Sequence, residues 1–266
     1  MSYRVKKAGL IFIDLLLAAY IVAAFSAFNK PEEKLHVCKD VNIVVSDASK
    51  SGFIDTKEVQ NRLNKAGLYP KGQPLAKVSC RQIEETLKKT PFVKTAECYK
   101  TQDGTVTVSI TQRMPVVRIK AINNDDYYID DQDCVMPNSD YTSDLIIATG
   151  YISRVFAVRY VSPLARTLME DDLCRNLFEQ INITKSLGVE LVPRVGNHIV
   201  YLGKLPESNI KQERTKQIQD FVATKMKRLE TFYRYGLSQA GWNKYSEINL
   251  EFNNQIICKR NDSEEE

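Results

Sequence analysis

The residues best placed to do chemistry in this chain are the five aspartates of the stretch NNDDYYIDDQDC: Asp125, Asp126, Asp130, Asp131 and Asp133. Carboxylates grouped this closely could chelate calcium or share acid–base work. Their spacing lacks the D-x-[DN]-x-[DN]-G pattern and the closing Glu of a calcium loop, so two solvated turns flanking a strand account for them better. The two histidines, His36 and His198, stand in no motif. The six cysteines, Cys38, Cys80, Cys98, Cys134, Cys174 and Cys258, show neither a C-x-x-C nor an interleaved Cys/His spacing, so zinc and thiol catalysis are unsupported. They read as free buried thiols, with at least one disulfide as the other reading. No G-x-S-x-G, H-E-x-x-H or glycine-rich phosphate loop occurs, and 11 glycines are few for a nucleotide-binding enzyme. The chain reads as a non-enzyme with no cofactor, no metal and no small-molecule substrate. A net charge of +4, spread along the sequence, does not call for nucleic acid.

The elements that hold these residues fall into two groups. The first begins with VNIVVSD, whose Val41, Ile43 and Val45 alternate as in a strand. Two short helices follow, one opened by Asp55 with Glu58 and closed at Gly67. The other is opened by Ser79 with Gln82 and stopped by Pro91. A hairpin across Gln102-Asp103-Gly104 completes a strand, helix, helix, strand, strand order. Pro115 marks the seam, because proline cannot donate to a central ladder. Beyond it come short strands and a helix over SPLARTLMEDDLCRNLFEQINITKSL, with Ser162 as N-cap and Pro163 in its first turn. A hairpin follows (GVELVPRV, NHIVYLG), then a long helix from about Pro206 to Tyr235 with an apolar face of Ile218, Phe221, Val222, Met226, Leu229, Phe232 and Tyr233. Lys211, Arg214, Lys216, Lys225, Lys227 and Arg228 form its basic, solvated face. The fold class is α+β: a small β-α-α-β-β domain over 35–114, then a mostly antiparallel, β-rich domain with two helices over 115–260, then an acidic tail, 261–266.

The end of the chain, KYSEINLEFNNQIICKR, poses its own question. Ile248, Leu250 and Phe252 alternate with polar residues, Asn253-Asn254 can turn, and Gln255 to Lys259 run back. An apolar strand that late in a chain can be left unpaired on one side. Ile248, Leu250 and Ile256 have core packing as their competing role.

At the other end, residues 1–7 are short and basic, and Ala8 to Phe28 is a long, predominantly apolar stretch. As a helix it would run roughly 31 Å, about one hydrocarbon core. The basic start against the mixed flank NKPEEK puts residues 1–7 in the cytoplasm and the rest outside, a single-pass arrangement in the lipid bilayer. Asp14 is the one acid in that stretch. A cleaved signal peptide, with Ala24-Phe25-Ser26 as its site, is the rival reading.

The arrangement as a whole resembles the bacterial division family FtsQ/DivIB, whose small domain is of POTRA type. The resemblance rests on Pro91-Phe92-Val93, Gln112-Arg113 and Pro115-Val116, on YYIDDQDCVMP, on VELVPRVGNHIVYLG with the long basic helix, and on GWNKYSEINLEFNNQIICKR. Asp133 stands where that family commonly has glycine, and Glu251 with Asn253-Asn254 departs from its usual terminal turn. The resemblance implies a non-catalytic bitopic scaffold of the inner membrane at the division septum. Its implied partners are small bitopic proteins of the FtsB and FtsL type, bound by strand addition at the last strand. Carried onto this chain, that role falls on Phe252, Gln255, Ile256, Ile257, Cys258 and Lys259, with Tyr245 and Trp242 as rim anchors. The alternative is a membrane-anchored POTRA-type chaperone or assembly factor for envelope proteins.

Overall fold

The computed structural model describes residues 3–28, 37–46, 52–139 and 145–261. The flank at 29–34, His36 and the acidic tail beyond Asn261 lie outside them. Helix α1 (Tyr3–Phe28) covers the expected apolar stretch. Its side chains are described from Ile13 to Phe25. Among the described residues no helix is long and apolar enough to cross a membrane, so the single-pass anchor does not follow from the fold. Within that window Leu15, Leu16, Tyr20, Ile21 and Phe25 are all exposed.

The described residues divide into two units, one within 1–44, 56–88 and 96–110 and the other within 45–55, 89–95 and 111–266. In the first, β1 (Asp40–Ser46), α2 (Thr56–Lys65), α3 (Cys80–Lys88), β2 (Val93–Lys100) and β3 (Thr105–Gln112) follow the expected order, with the strands arranged β1-β3-β2. Ser79 caps α3, its Oγ accepting the Gln82 N–H at 3.3 Å. Each helix buries one face, Val59 and Leu63 on α2 and Ile83 and Leu87 on α3. The Cys98 N–H donates to Glu84 at 2.9 Å and ties β2 to α3.

The second unit is built on one sheet of nine strands. These are β4 (Pro115–Ala121), β5 (Asp126–Asp130), β6 (Val135–Pro137), β7 (Ile147–Gly150), β8 (Phe178–Ile183), β9 (Gly188–Pro193), β10 (Ile199–Lys204), β11 (Tyr245–Asn249) and β12 (Ile257–Arg260). Their order is β12-β11-β10-β9-β8-β7-β4-β5-β6. Most neighbours are antiparallel, but β4·β7, β7·β8 and β10·β11 are parallel. Parallel neighbours need a crossover, and that requirement supplies the helices. The run α4 (Arg154–Phe156), a π-helical segment Ala157–Val161, α5 (Ser162–Glu170) and α6 (Asp172–Leu177) carries the chain from β7 to β8. Helix α7 (Lys211–Phe232), with a π-helical segment Tyr233–Leu237 and α8 (Ser238–Ala240), carries it from β10 to β11. One continuous core joins Ile119, Ala148, Ile181, Val189 and Val200 of the sheet to Leu164, Leu168, Ile218, Val222 and Leu229 of the helices.

The helix expected over 162–187 is not one helix. It starts earlier, at Ser153, whose Oγ accepts the Phe156 N–H at 3.2 Å. It breaks at Asp171, which caps α6 by accepting the Cys174 N–H at 2.8 Å, and it ends at Leu177. Phe178–Ile183 is a central strand, with Phe178, Ile181 and Ile183 buried. Ser162, the expected cap, lies inside the helical run and is fully buried. Pro163 has no N–H to donate to the Arg159 carbonyl one turn back. The chain widens into the π-helical segment there, and Arg214 of α7 donates to that carbonyl at 2.9 Å instead.

Candidate partner-binding edge

The terminal hairpin pairs Tyr245 with Arg260, Glu247 with Lys259, Ile248 with Cys258 and Asn249 with Ile257, with a bulge between Tyr245 and Glu247. The last ladder begins at Ile257, not at Gln255 as expected, because the connection is longer than a two-residue turn. Leu250 still pairs across the sheet, its N–H donating to the Tyr201 carbonyl at 2.8 Å. The chain then swings through Asn254, left-handed at φ 61°, before turning back. Gln255 and Ile256 therefore precede the strand, and Ile256 packs on the core. Ile248 and Leu250 are fully buried.

Strand β12 lies at the end of the sheet order, with β11 as its strand neighbour among the described residues. An edge strand carries backbone donors and acceptors on its outer side that can pair with another extended chain. Ile257, Lys259 and Arg260 are exposed and Cys258 is half-buried. Ile257 keeps 48% of its surface exposed, as does Phe252 in the connection. Tyr245 is half-buried beside Phe232, with ring centroids 6.2 Å apart. Trp242 sits apart from this edge. Its ring meets Tyr233 edge-on at 5.4 Å, and it helps line an apolar cavity of about 230 Å³ with Leu173, Cys174, Met226 and Leu229.

Two basic residues that the sequence places on a solvated face hold the connection. Lys225 of α7 is buried at 4% exposure, and its ammonium donates to the carbonyls of Leu250 and Glu251. Arg228 donates to the Leu250 carbonyl at 3.3 Å and to the Gln255 carbonyl. Burial pulls the Lys225 pKa down, and the Arg228 guanidinium adds to that, against Glu251. Arg214 is buried as well. The signal that could have found Lys225 is the stripe Ile218, Val222, Met226 and Leu229: position 225 falls within it at helical spacing.

The aspartate cluster is fully engaged with basic side chains. Asp125 pairs with Arg154 at 3.2 Å, Asp131 with Lys94 at 3.0 Å, and Asp130, itself fully buried, with Arg113 at 2.7 Å. Asp126 takes two bonds from Arg118, at 2.9 and 2.8 Å. Asp133, left-handed at φ 62°, accepts from Ser162, Arg166 and Lys211 at 2.7, 2.6 and 2.7 Å. Burial pushes the Asp133 carboxyl up, and Lys211, Ser162 and Arg166 outweigh it, leaving it below the usual range. Arg154 and Arg118 hold Asp125 and Asp126 low by their hydrogen bonds. These are turn clamps: the Gln132 and Cys134 N–H groups also donate to Asp130, closing the turn between β5 and β6. His198 is likewise internal, bonded through Nε2 to the Tyr233 hydroxyl at 2.6 Å. All six cysteines are free thiols.

The β-α-α-β-β unit defines the class of the small domain, and residues 36–111 match the POTRA-like domain. Residues 114–259 match the model described as FtsQ/DivIB, C-terminal related, and the chain belongs to the FtsQ/DivIB family. That membership implies a non-enzymatic scaffold role in bacterial cell division, exercised through protein–protein contacts in association with the septal membrane. No individually curated protein matches the chain.

Proposed function

We propose that the chain is a bitopic division scaffold that binds small proteins of the FtsB and FtsL type by adding their strand to β12, linking them to septal peptidoglycan synthesis. The observation that carries this reading is the open edge of β12, with Ile257 exposed at its start. Main-chain pairing supplies register, and Phe252, Ile257 and Lys259 supply side-chain contacts beside it. Tyr245, paired with Arg260 at the far end of β12, and Trp242 serve as aromatic anchors at the rim. The anchor is Ala8 to Phe28, with the N-terminus cytoplasmic and the two folded units outside. The supporting facts are the helix over that stretch and its exposed apolar side chains.

The test is capture from detergent-solubilised membranes with the full chain as bait, beside Ile257→Pro and a chain ending at Phe252. Proline at 257 removes the N–H that the register turns toward Asn249 of β11, so it unseats the start of β12 while leaving the core residues in place. Capture of FtsB- or FtsL-type proteins by the wild type alone supports the reading. Equal capture by all three moves the site off β12, and capture by none refutes binding by strand addition.

A further inference from the structure

The connection between β11 and β12 is fastened to α7 from both sides. On the entry side Lys225 reaches the carbonyls of Leu250 and Glu251, at 2.5 and 2.7 Å. On the exit side Arg228, one turn further along the helix, reaches the Gln255 carbonyl and also Leu250. These carbonyls lie outside the ladder pairs of the hairpin, the last of which is Asn249 with Ile257. A third contact closes the same loop. Gly203 of β10, at φ 91°, leaves the space that the Glu251 side chain fills, since a Cβ at 203 would stand 3.1 Å from Glu251 Cγ.

An ammonium buried to this degree costs more than the apolar residue that the stripe calls for, unless its bonds do something an apolar residue cannot. What these bonds do is fix the backbone of a short outer strand that has one strand neighbour among the described residues. Four paired residues at a sheet edge fray readily, and a frayed strand must be ordered again when a partner pairs with it.

We infer that Lys225 and Arg228 are positioning residues: they clamp the terminal hairpin to α7 and present β12 already extended for a partner strand. The clamp rests on the reading of β12 as the partner-binding edge. The two can fail separately, because the order of β12 is measurable without any partner.

The experiment uses the full-length protein in detergent, with Lys225→Met, Arg228→Met and Lys225→Arg beside the wild type. Methionine fits the apolar stripe and removes the donors, whereas arginine keeps a charged donor group in their place. The readouts are amide exchange across Ile257–Arg260, exchange across β8 as an internal standard, and affinity for the FtsB-type protein of the same cell. The expected result is exchange at Ile257–Arg260 at least tenfold faster in both methionine variants with β8 unchanged. Partner affinity falls at least tenfold in parallel, and Lys225→Arg recovers most of both. Unchanged exchange at Ile257–Arg260 overturns the clamp. Faster exchange with undiminished affinity overturns its role in presenting β12. If the wild type itself binds no FtsB-type protein, the reading of the edge fails and the clause on presentation with it, while the exchange data decide the clamp. If Lys225→Met unfolds, as faster exchange in β8 would reveal, the more exposed Arg228→Met decides the clamp by the same two readouts.

Discussion

Asp130 shows why an acidic cluster that looks like a metal site is structural here. It is fully buried, holds Arg113 and closes its own turn through two backbone N–H groups. Removing one partner of such a pair strands the other charge, so Asp130→Ala is expected to lose about 3–5 kcal/mol, measured by chemical denaturation. Asp125→Ala, at an exposed pair, is expected to leave the unfolding midpoint nearly unchanged by the same measurement. His198 sets a pH dependence. Burial lowers its pKa below the ordinary 6.5, and its Nδ1 has no hydrogen-bond partner in the interior. The unfolded chain therefore takes up the proton first, and stability falls as pH drops through about 6.5, levelling off below the folded-state value. The loss of melting temperature between pH 7.5 and pH 5.5 should shrink in His198→Gln. The lowered carboxylates Asp125, Asp126 and Asp133 act in a separate window, below about pH 4. At this scale the sequence told the kind of residue but not its partner. Asp125, Asp131 and Asp133 read correctly as turn residues, whereas Asp126 and Asp130 belong to β5 and Asp130 is buried rather than solvated, and nothing local announces Arg166 or Lys211 as the cations at Asp133. Asp133 tolerates φ 62°, a left-handed turn that glycine enters freely, and gains those bonds.

The elements that were legible are those with local start and stop signals. Ser79 with Gln82 marks α3, and Gly104, at φ 91°, sits in the turn between β2 and β3. The long apolar face of α7 was legible from its period, and Ile218, Val222 and Leu229 are buried as that period requires. Strand β8 was not, because Phe178–Ile183 follows a helical run without a glycine or proline between them. Its alternation of buried and exposed residues covers only six positions. The parallel pairing β7·β8 was equally hidden, since register between distant segments leaves no mark in either one. Two predictions belong to this level. Arg214→Met strands the Arg159 and Ser208 carbonyls that it now serves at 2.9 and 2.7 Å, and should cost about 1–3 kcal/mol in denaturant unfolding. Gly150→Ala should do more damage. Gly150 ends β7 at φ 95°, and a Cβ there would stand 2.2 Å from the Ile183 carbonyl oxygen of β8. The left-handed conformation alone costs about 1–3 kcal/mol, and the clash with backbone adds to it. The measurement is soluble yield together with the unfolding midpoint.

For the whole molecule, the question is how a nine-stranded open sheet avoids pairing with copies of itself. Its two ends answer differently. Strand β6 has only three residues and finishes on Pro137, which cannot donate, so that edge is blunted. Strand β12 carries no proline, and its protection is charge: Lys259 and Arg260 are both exposed on a strand of four residues. Two copies joined edge to edge at β12 would bring four cations onto a strip about 13 Å long, not far beyond the Debye length of about 8 Å at physiological salt. Like charges so close oppose the pairing, whereas a partner strand bringing neutral or acidic residues meets no such barrier. On the proposed reading the same edge is closed to its own kind and open to a partner strand. The full-length protein is expected to sediment as a monomer in neutral detergent at physiological ionic strength. Lys259→Val with Arg260→Val, which leaves the hairpin register intact and strengthens strand propensity, should produce a concentration-dependent dimer. Adding Ile257→Pro to that double variant should restore the monomer if the dimer forms through β12. A double variant that stays monomeric at every concentration would mean that the two cations do not guard this edge.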